Sequence, residues 1–497
     1  MDEEFLTTAA GSIVRSGSLE PRFYGYPSLP IYLSALGFAV GAVFDPAVDG
    51  AGSVPERVSY YPTYRPSNRG LVARGLFCLL GTLAVAFASW LVARLANDSV
   101  VLVLAPLVAM TSPLIGVHTW TYLNVDIIGS CGALASLALF FTQPLGRLCA
   151  RRTAAAGVLC GLAVASKYLF GLAVVPSALA ILLTTEVAWG QRIRHLALLA
   201  ATLAAGFLVA VPYFIPNLDR YLDAIAAELK HYRRGHAGFT SEPGLEHLGV
   251  QVRALVREFS PVGFGLGILG GAVVVHRSRR RGAALLAFPV LLLCFIALQR
   301  VNFQRNLLVV YLLFAAWIAL GTVALSRIIV ERTPLCLQRD CRPGQLAACA
   351  AAVFALFVAS LPGARITDQL ALPRESRVEV VDWILAHVPE KSTLVIPRQL
   401  FLSDLALRGR YRLLYVDFFR SGPTRAILEN GSGQYVLMPT FGFDRRWPES
   451  GRLAAQLEKT YRGQGRVLKT FGKHPLLVNY RLPVRHGNPA FAVLKRD

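Results

Sequence analysis

Long apolar runs separated by short charged loops constrain this 497-residue chain more than any other feature. Segments 70–96, 99–117, 125–142, 154–166, 168–185, 196–215, 261–275, 283–298, 307–326 and 346–361 approach or reach membrane length. A helix needs about 17 to 25 residues to cross the hydrocarbon core, so the two segments flanking Lys167 and the one opening at Pro261 are the short ones. With 54% hydrophobic residues besides, the chain reads as a polytopic α-helical membrane protein of about ten spans and not as a soluble enzyme.

The formal charge of +21 would raise nucleic acid as a partner on a soluble domain, but here the arginines fall between the apolar segments. Membrane orientation explains them, and no nucleic-acid partner is expected. Arg147, Arg151 and Arg152 form one cluster, Arg192 and Arg194 a second, Arg277, Arg279, Arg280 and Arg281 a third, and Arg332, Arg339 and Arg342 a fourth. All four are assigned to the cytoplasm. Neighbouring basic loops must then be separated by an even number of crossings, which makes 154–185 two short crossings with Lys167 at the outer tip. His118–Asn124, 216–260, 299–305 and everything after Pro362 fall outside. Asp2 shares that side only if 29–44 does not cross, so that segment is expected to lie in the interface. A chain starting outside also calls for an upstream first span, and no signal-peptide pattern is present to deliver it.

Three domains follow: 1–69, a first outer loop with an acidic motif and an interfacial helix; 70–362, the transmembrane body; and 363–497, an extracytoplasmic domain. In the last, strand-like runs 392–397, 411–416 and 434–439 alternate with helix-like stretches such as 375–387, which predicts a small α/β domain with a partly parallel sheet. None of the eight cysteines lies there, so no disulfide framework is expected, and Cys336/Cys341 without further ligands is a poor zinc signal.

Candidate chemistry sits on the predicted outer side. Asp2 and Glu3 are adjacent carboxylates, each raising the other's proton affinity, which suits a general base; a solvated helix N-terminus favoured by the dipole is the plainer alternative. Asp126 opens a span, either as an interfacial helix start or as a second carboxylate facing the first. Lys167 interrupts an uncharged stretch, where burial would cost about 2.5 to 3.5 kcal/mol, so it should snorkel or meet an anion such as a lipid-linked phosphate. Arg300 and Arg305 could grip phosphate by two bonds each or simply bind headgroups. His236, beside His231, Arg233 and Arg234, suits phosphate binding or proton relay, with a solvated loop as the alternative.

Taken in order, Asp2-Glu3 ahead of an aromatic, Tyr26-Pro27 leading into an apolar helix, Asp126, Ser166-Lys167-Tyr168, Arg305-Asn306 and the soluble tail resemble the GT-C glycosyltransferases. The nearest branch is similar to bacterial relatives of protein O-mannosyltransferases and of the lipid A aminoarabinose transferase. The resemblance implies an inner-membrane, cell-envelope enzyme that takes sugar from a polyprenyl-phosphate-linked donor. The sugar would pass, with inversion, to a hydroxyl on lipid, glycan or protein at the extracytoplasmic face. By resemblance Asp2 would be the catalytic base and Glu3 would order the loop or acceptor. Lys167 and Arg305 would neutralise the leaving phosphate, with Arg300 and His236 assisting. No cofactor is certain, and a divalent metal is left open. The rival class is a transporter or flippase of a lipid-linked glycan, which would favour paired halves and charges at mid-depth.

Overall fold

The computed structural model describes residues 2–43, 68–120, 123–143, 148–236, 239–332, 342–361, 376–397, 407, 409–416, 434–439, 441–443, 465–471, 474–478 and 489–496. The chain divides into two compact units, a helical one that extends to Arg365 and one made mainly of residues after it.

The helical unit holds α1 (Asp2–Ser16), α2 (Leu29–Val43), α3 (Asn68–Ala96), α4 (Val101–Met110), α5 (Pro113–Trp120), α6 (Val125–Phe141) and α7 (Ala150–Val164). After a 3-10 turn, Tyr168–Ala173, come α8 (Val174–Leu183), α9 (Trp189–Ala210), α10 (Leu218–Arg234), α11 (Leu245–Arg277) and α12 (Arg279–Ala297). A second 3-10 turn, Gln304–Leu307, leads into α13 (Leu308–Arg332), and α14 (Arg342–Ser360) follows. Five helices among the described residues are long and apolar enough to cross a membrane, and a bent pair would make six. The remaining apolar segments form shorter helices.

Two segments differ from the sequence expectation. Residues 99–117 are not one straight helix, since α4 and α5 meet at 88°. The bend is held from a distant helix: the Glu258 carboxylate accepts from Ser112 Oγ and from Leu114 N, both at 2.6 Å, and so caps the start of α5. Likewise, the span expected at 261–275 belongs to a longer α11 kinked at Ser260, whose φ of 63° breaks the helix just before Pro261.

Small residues let helices meet backbone to backbone. A Cβ on Gly157 or Gly161 of α7 would strike α9, and one on Gly206 of α9 would strike Val158. Gly270 and Gly321 do the same between α11 and α13. In hydrocarbon, where apolar burial offers no gain over lipid contact, such close packing is what holds helices together.

Helix ends gather on two opposite faces. On one, Arg281 donates to the carbonyls of Phe141 (3.2 Å) and Gln143 (2.6 Å), and Arg280 pairs with Glu186 at 3.0 Å. Asp98 there meets Arg327 at 2.7 Å and Arg277 at 3.7 Å. Arg152, at the start of α7, donates to Thr142 O on the same face. At the other end of these helices, Leu29 N donates to Ala165 O at 3.2 Å and Gly244 N to Ala297 O at 2.7 Å. Residues 150–183 therefore go up and return, with Lys167 at the turn opposite the arginines. The start of α2 lies at this second face, and its Gly37 packs against the backbone of Ala73 in α3.

Among its described residues the second unit contains α15 (Ser376–His387) and seven strands: β1 (Thr393–Pro397), β2 (Arg412–Val416), β3 (Tyr435–Pro439), β4 (Phe441–Phe443), β5 (Gly465–Phe471), β6 (His474–Val478) and β7 (Pro489–Arg496). β1 lies parallel to both β2 and β3, while β7 runs antiparallel to β3 and β5. Val380 and Ile384 of α15 pack on Leu394, Ile396, Leu437 and Val493 of the sheet. The expected α/β domain with a partly parallel sheet is present.

Candidate active site

Four helix ends bring a set of polar side chains together on the face opposite the arginines. Asn124 accepts from the N–H of Asp126 at 2.9 Å, capping α6 and fixing the carboxylate at its first turn. Further along, α7 ends at Val164, and Ser166, forty-one residues after Val125, ties this turn to α6 by donating from Oγ to Val125 O. Lys167 follows in extended conformation, so its ammonium reaches across to Asp126 Oδ1 at 2.8 Å. Asn306, in the 3-10 turn before α13, accepts from the same ammonium through Oδ1 at 2.7 Å. Its amide group then donates to Tyr232 Oη at 2.9 Å, at the C-terminal end of α10.

Asp126 and Asn306 are fully buried, and Lys167 is 8% exposed. A lone cation in such a place would be costly; pairing with a carboxylate and a carboxamide offsets that cost. An ammonium has three N–H donors, and two are used, which leaves one for an arriving acceptor. Asp126 Oδ2 accepts no hydrogen bond but faces Arg305 Nε at 3.7 Å. The Arg305 guanidinium lies over the Phe303 ring at 4.7 Å. His236 stacks edge-on to Phe303 at 5.1 Å and to His231 at 5.2 Å, one ring removed from Arg305. Burial raises the Tyr232 phenol above its ordinary range, keeping it protonated.

The loop carrying Phe303, Arg305 and Asn306 is fastened by a buried chain of polar groups. His247 Nδ1 donates to Gln299 O at 2.8 Å, so its Nε2 is the acceptor for the Gln251 amide at 3.0 Å. The same amide nitrogen donates to Asn302 Oδ1, and Asn302 donates to Ser241 Oγ at 2.9 Å. Arg300 N and Val301 N both donate to Tyr232 O, at 2.9 and 3.3 Å.

Of the residues singled out from sequence, Asp126, Lys167 and Arg305 meet directly, and His236 stands next to them. Arg300 does not join them: its guanidinium pairs with Glu242 at 3.2 Å and is 45% exposed, and its main chain is what serves the site. Asp2 and Glu3 fall in the first turn of α1, which packs on α2. Their side chains lie outside the described residues. Asn306 and Tyr232 complete the cluster without having been singled out for it. Among the described residues no three metal-ligating side chains come together.

No protein-family model and no curated protein matches the sequence. Solved structures do match. ArnT from Cupriavidus metallidurans bound to undecaprenyl phosphate aligns over 99% of this chain and 93% of its own, with a TM-score of 0.53 at 13% identity. Its apo state gives 0.52 at 14% identity over the same shares. AglB from Archaeoglobus fulgidus, in complex with an inhibitory peptide and a dolichol-phosphate, is a looser match, with a TM-score of 0.47 at 13% identity over 97% of this chain and 71% of its own. At such identities the ArnT alignments speak to architecture alone, and over nearly its whole length this chain has the fold of ArnT.

Proposed function

We propose that the protein is a membrane glycosyltransferase that moves a sugar from a polyprenyl-phosphate-linked donor to an acceptor hydroxyl, with inversion at the anomeric carbon. The observation that carries this reading is the buried Asp126–Lys167–Asn306 cluster with Arg305 alongside, two fixed cations with an unused ammonium donor between them. Support of a second kind is the undecaprenyl phosphate bound to ArnT, a protein of the same fold.

In this reaction the acceptor oxygen attacks the anomeric carbon as its proton passes to the Asp2 carboxylate. The bond from that carbon to the phosphate oxygen breaks, and polyprenyl phosphate leaves with the electron pair. Lys167 and Arg305 meet the charge that develops on the phosphate, and because Asp126 and Asn306 already hold Lys167, little reorganisation is needed at that moment. Glu3 orders the acceptor loop, and His236 lies within reach of the departing headgroup. The positive-inside rule puts the arginine face in the cytoplasm and the site on the extracytoplasmic side of the inner membrane.

The test is turnover of labelled polyprenyl-phosphate sugars by the reconstituted protein. Asp2→Asn should cut transfer on the order of 100- to 10,000-fold while leaving donor binding intact, as expected for loss of a general base. Unchanged turnover would place the base elsewhere.

A further inference from the structure

Behind the groups that meet directly, a second line of contacts reaches the site from α5. That helix is fixed at both ends: the Glu258 carboxylate caps its start, and near its end Thr119 seats against Gly81 of α3, where a Cβ would strike its side chain and its carbonyl. His118, next to Thr119, is only 5% exposed, and its Nδ1 lies 3.2 Å from Nδ2 of the fully buried Asn124.

Chemistry decides which way round the Asn124 carboxamide sits. The main-chain N–H of Asp126 can only donate, so the atom 2.9 Å from it is the amide oxygen, and the atom turned to His118 is the NH2 group. Nδ1 of His118 must then carry a lone pair, with the ring proton on Nε2. A flipped amide would set its NH2 against the Asp126 N–H and its oxygen against that lone pair, two repulsive contacts in place of two hydrogen bonds. His118 therefore selects the orientation in which Asn124 caps α6. The cap fixes the first turn of that helix, from which Asp126 reaches Lys167 at 2.8 Å.

We propose that His118 is a positioning residue of the transfer reaction: through the Asn124 amide it fixes the direction of the Asp126 carboxylate, and so the direction in which Lys167 presents its unused N–H to the phosphate. The role rests on the transferase reading. An ammonium already aimed matters most as charge develops on the leaving phosphate, so loss of the Nδ1 acceptor should act on kcat and leave the donor KM near native.

Steady-state transfer from a labelled polyprenyl-phosphate sugar is compared for the native protein, His118→Leu and His118→Asn. Leucine keeps much of the bulk without the acceptor, whereas asparagine puts Oδ1 where Nδ1 stands. His118→Leu should lower kcat about tenfold, as for loss of roughly one hydrogen bond, and His118→Asn should recover most of it. In an Asn124→Ala background the leucine change should do nothing further. Equal losses for the two variants, a loss confined to KM, or effects additive with Asn124→Ala would overturn the proposal and leave His118 a packing residue. A second measurement needs neither a variant nor turnover. His118–Thr119 is the chain's sole His-Thr step, so labelling histidine carbonyls and threonine nitrogens together singles out this imidazole among the nine by solid-state NMR of the full chain in nanodiscs. The expected signature at neutral pH is a proton on Nε2 and none on Nδ1. A proton on Nδ1 in an active enzyme would sink this inference alone, whereas the expected ring with no transfer by the native protein would sink the transferase reading and the reaction role with it.

Discussion

Asp126 shows how far single residues could be read. A carboxylate at the edge of an apolar run announces itself, as does a lysine inside one, but nothing local says that they meet across 41 positions, or that Asn306, 139 positions beyond Lys167, accepts from the same ammonium. Such partners are set by how helices pack: Tyr232 was not singled out, and Asn306 was noted only as the neighbour of Arg305. Arg300 drew attention through its charge; its guanidinium pairs with Glu242, while its backbone amide donates to Tyr232 O. Removing one member of a buried ion pair strands the other, so Asp126→Asn should lower stability by about 3 to 5 kcal/mol. Adding Lys167→Met should recover part of that loss in thermal melts of the detergent-solubilised protein. Gln251→Ala should weaken donor binding by about tenfold or less without touching the donor, since it frees the Asn302 loop by roughly one hydrogen bond. A double-mutant cycle with Arg305→Ala checks this, because coupling appears only if Gln251 acts through that loop.

Elements were legible where their patterns were local. The apolar strands β1 to β3 and the Val380/Ile384 face of α15 fall where alternation and helical spacing put them, within a residue or so. The bend between α4 and α5 was not, because Ser112-Pro113 sits in a continuous apolar stretch and the capping carboxylate comes from Glu258, 146 positions away from Ser112. Glu258→Ala should therefore cost about 1 to 3 kcal/mol by leaving Leu114 N–H unsatisfied, more than Glu258→Gln, whose amide oxygen can still accept. Urea or thermal unfolding of the two variants decides it. β4 to β7 carried too little pattern in a mixed-charge tail to be picked out.

At the scale of the whole molecule, the arginine clusters were the strongest guide. Among the described residues, Arg152, Arg277, Arg280 and Arg281 lie on one face, opposite Lys167. The positive-inside rule predicts that the arginine face meets the cytoplasm, so single cysteines replacing His231 and Arg280 should react with an impermeant maleimide from opposite sides of oriented vesicles. Reaction of both from one side would break the topology. The central claim is that two cations on that face hold the phosphate of a lipid carrier, and the direct measurement is the affinity for undecaprenyl phosphate in nanodiscs. The account predicts a fall of about 10- to 100-fold for Lys167→Ala and for Arg305→Ala, as expected for a hydrogen bond to a charged group, with Arg300→Ala near native. Native affinity in both the Lys167 and Arg305 variants would contradict it.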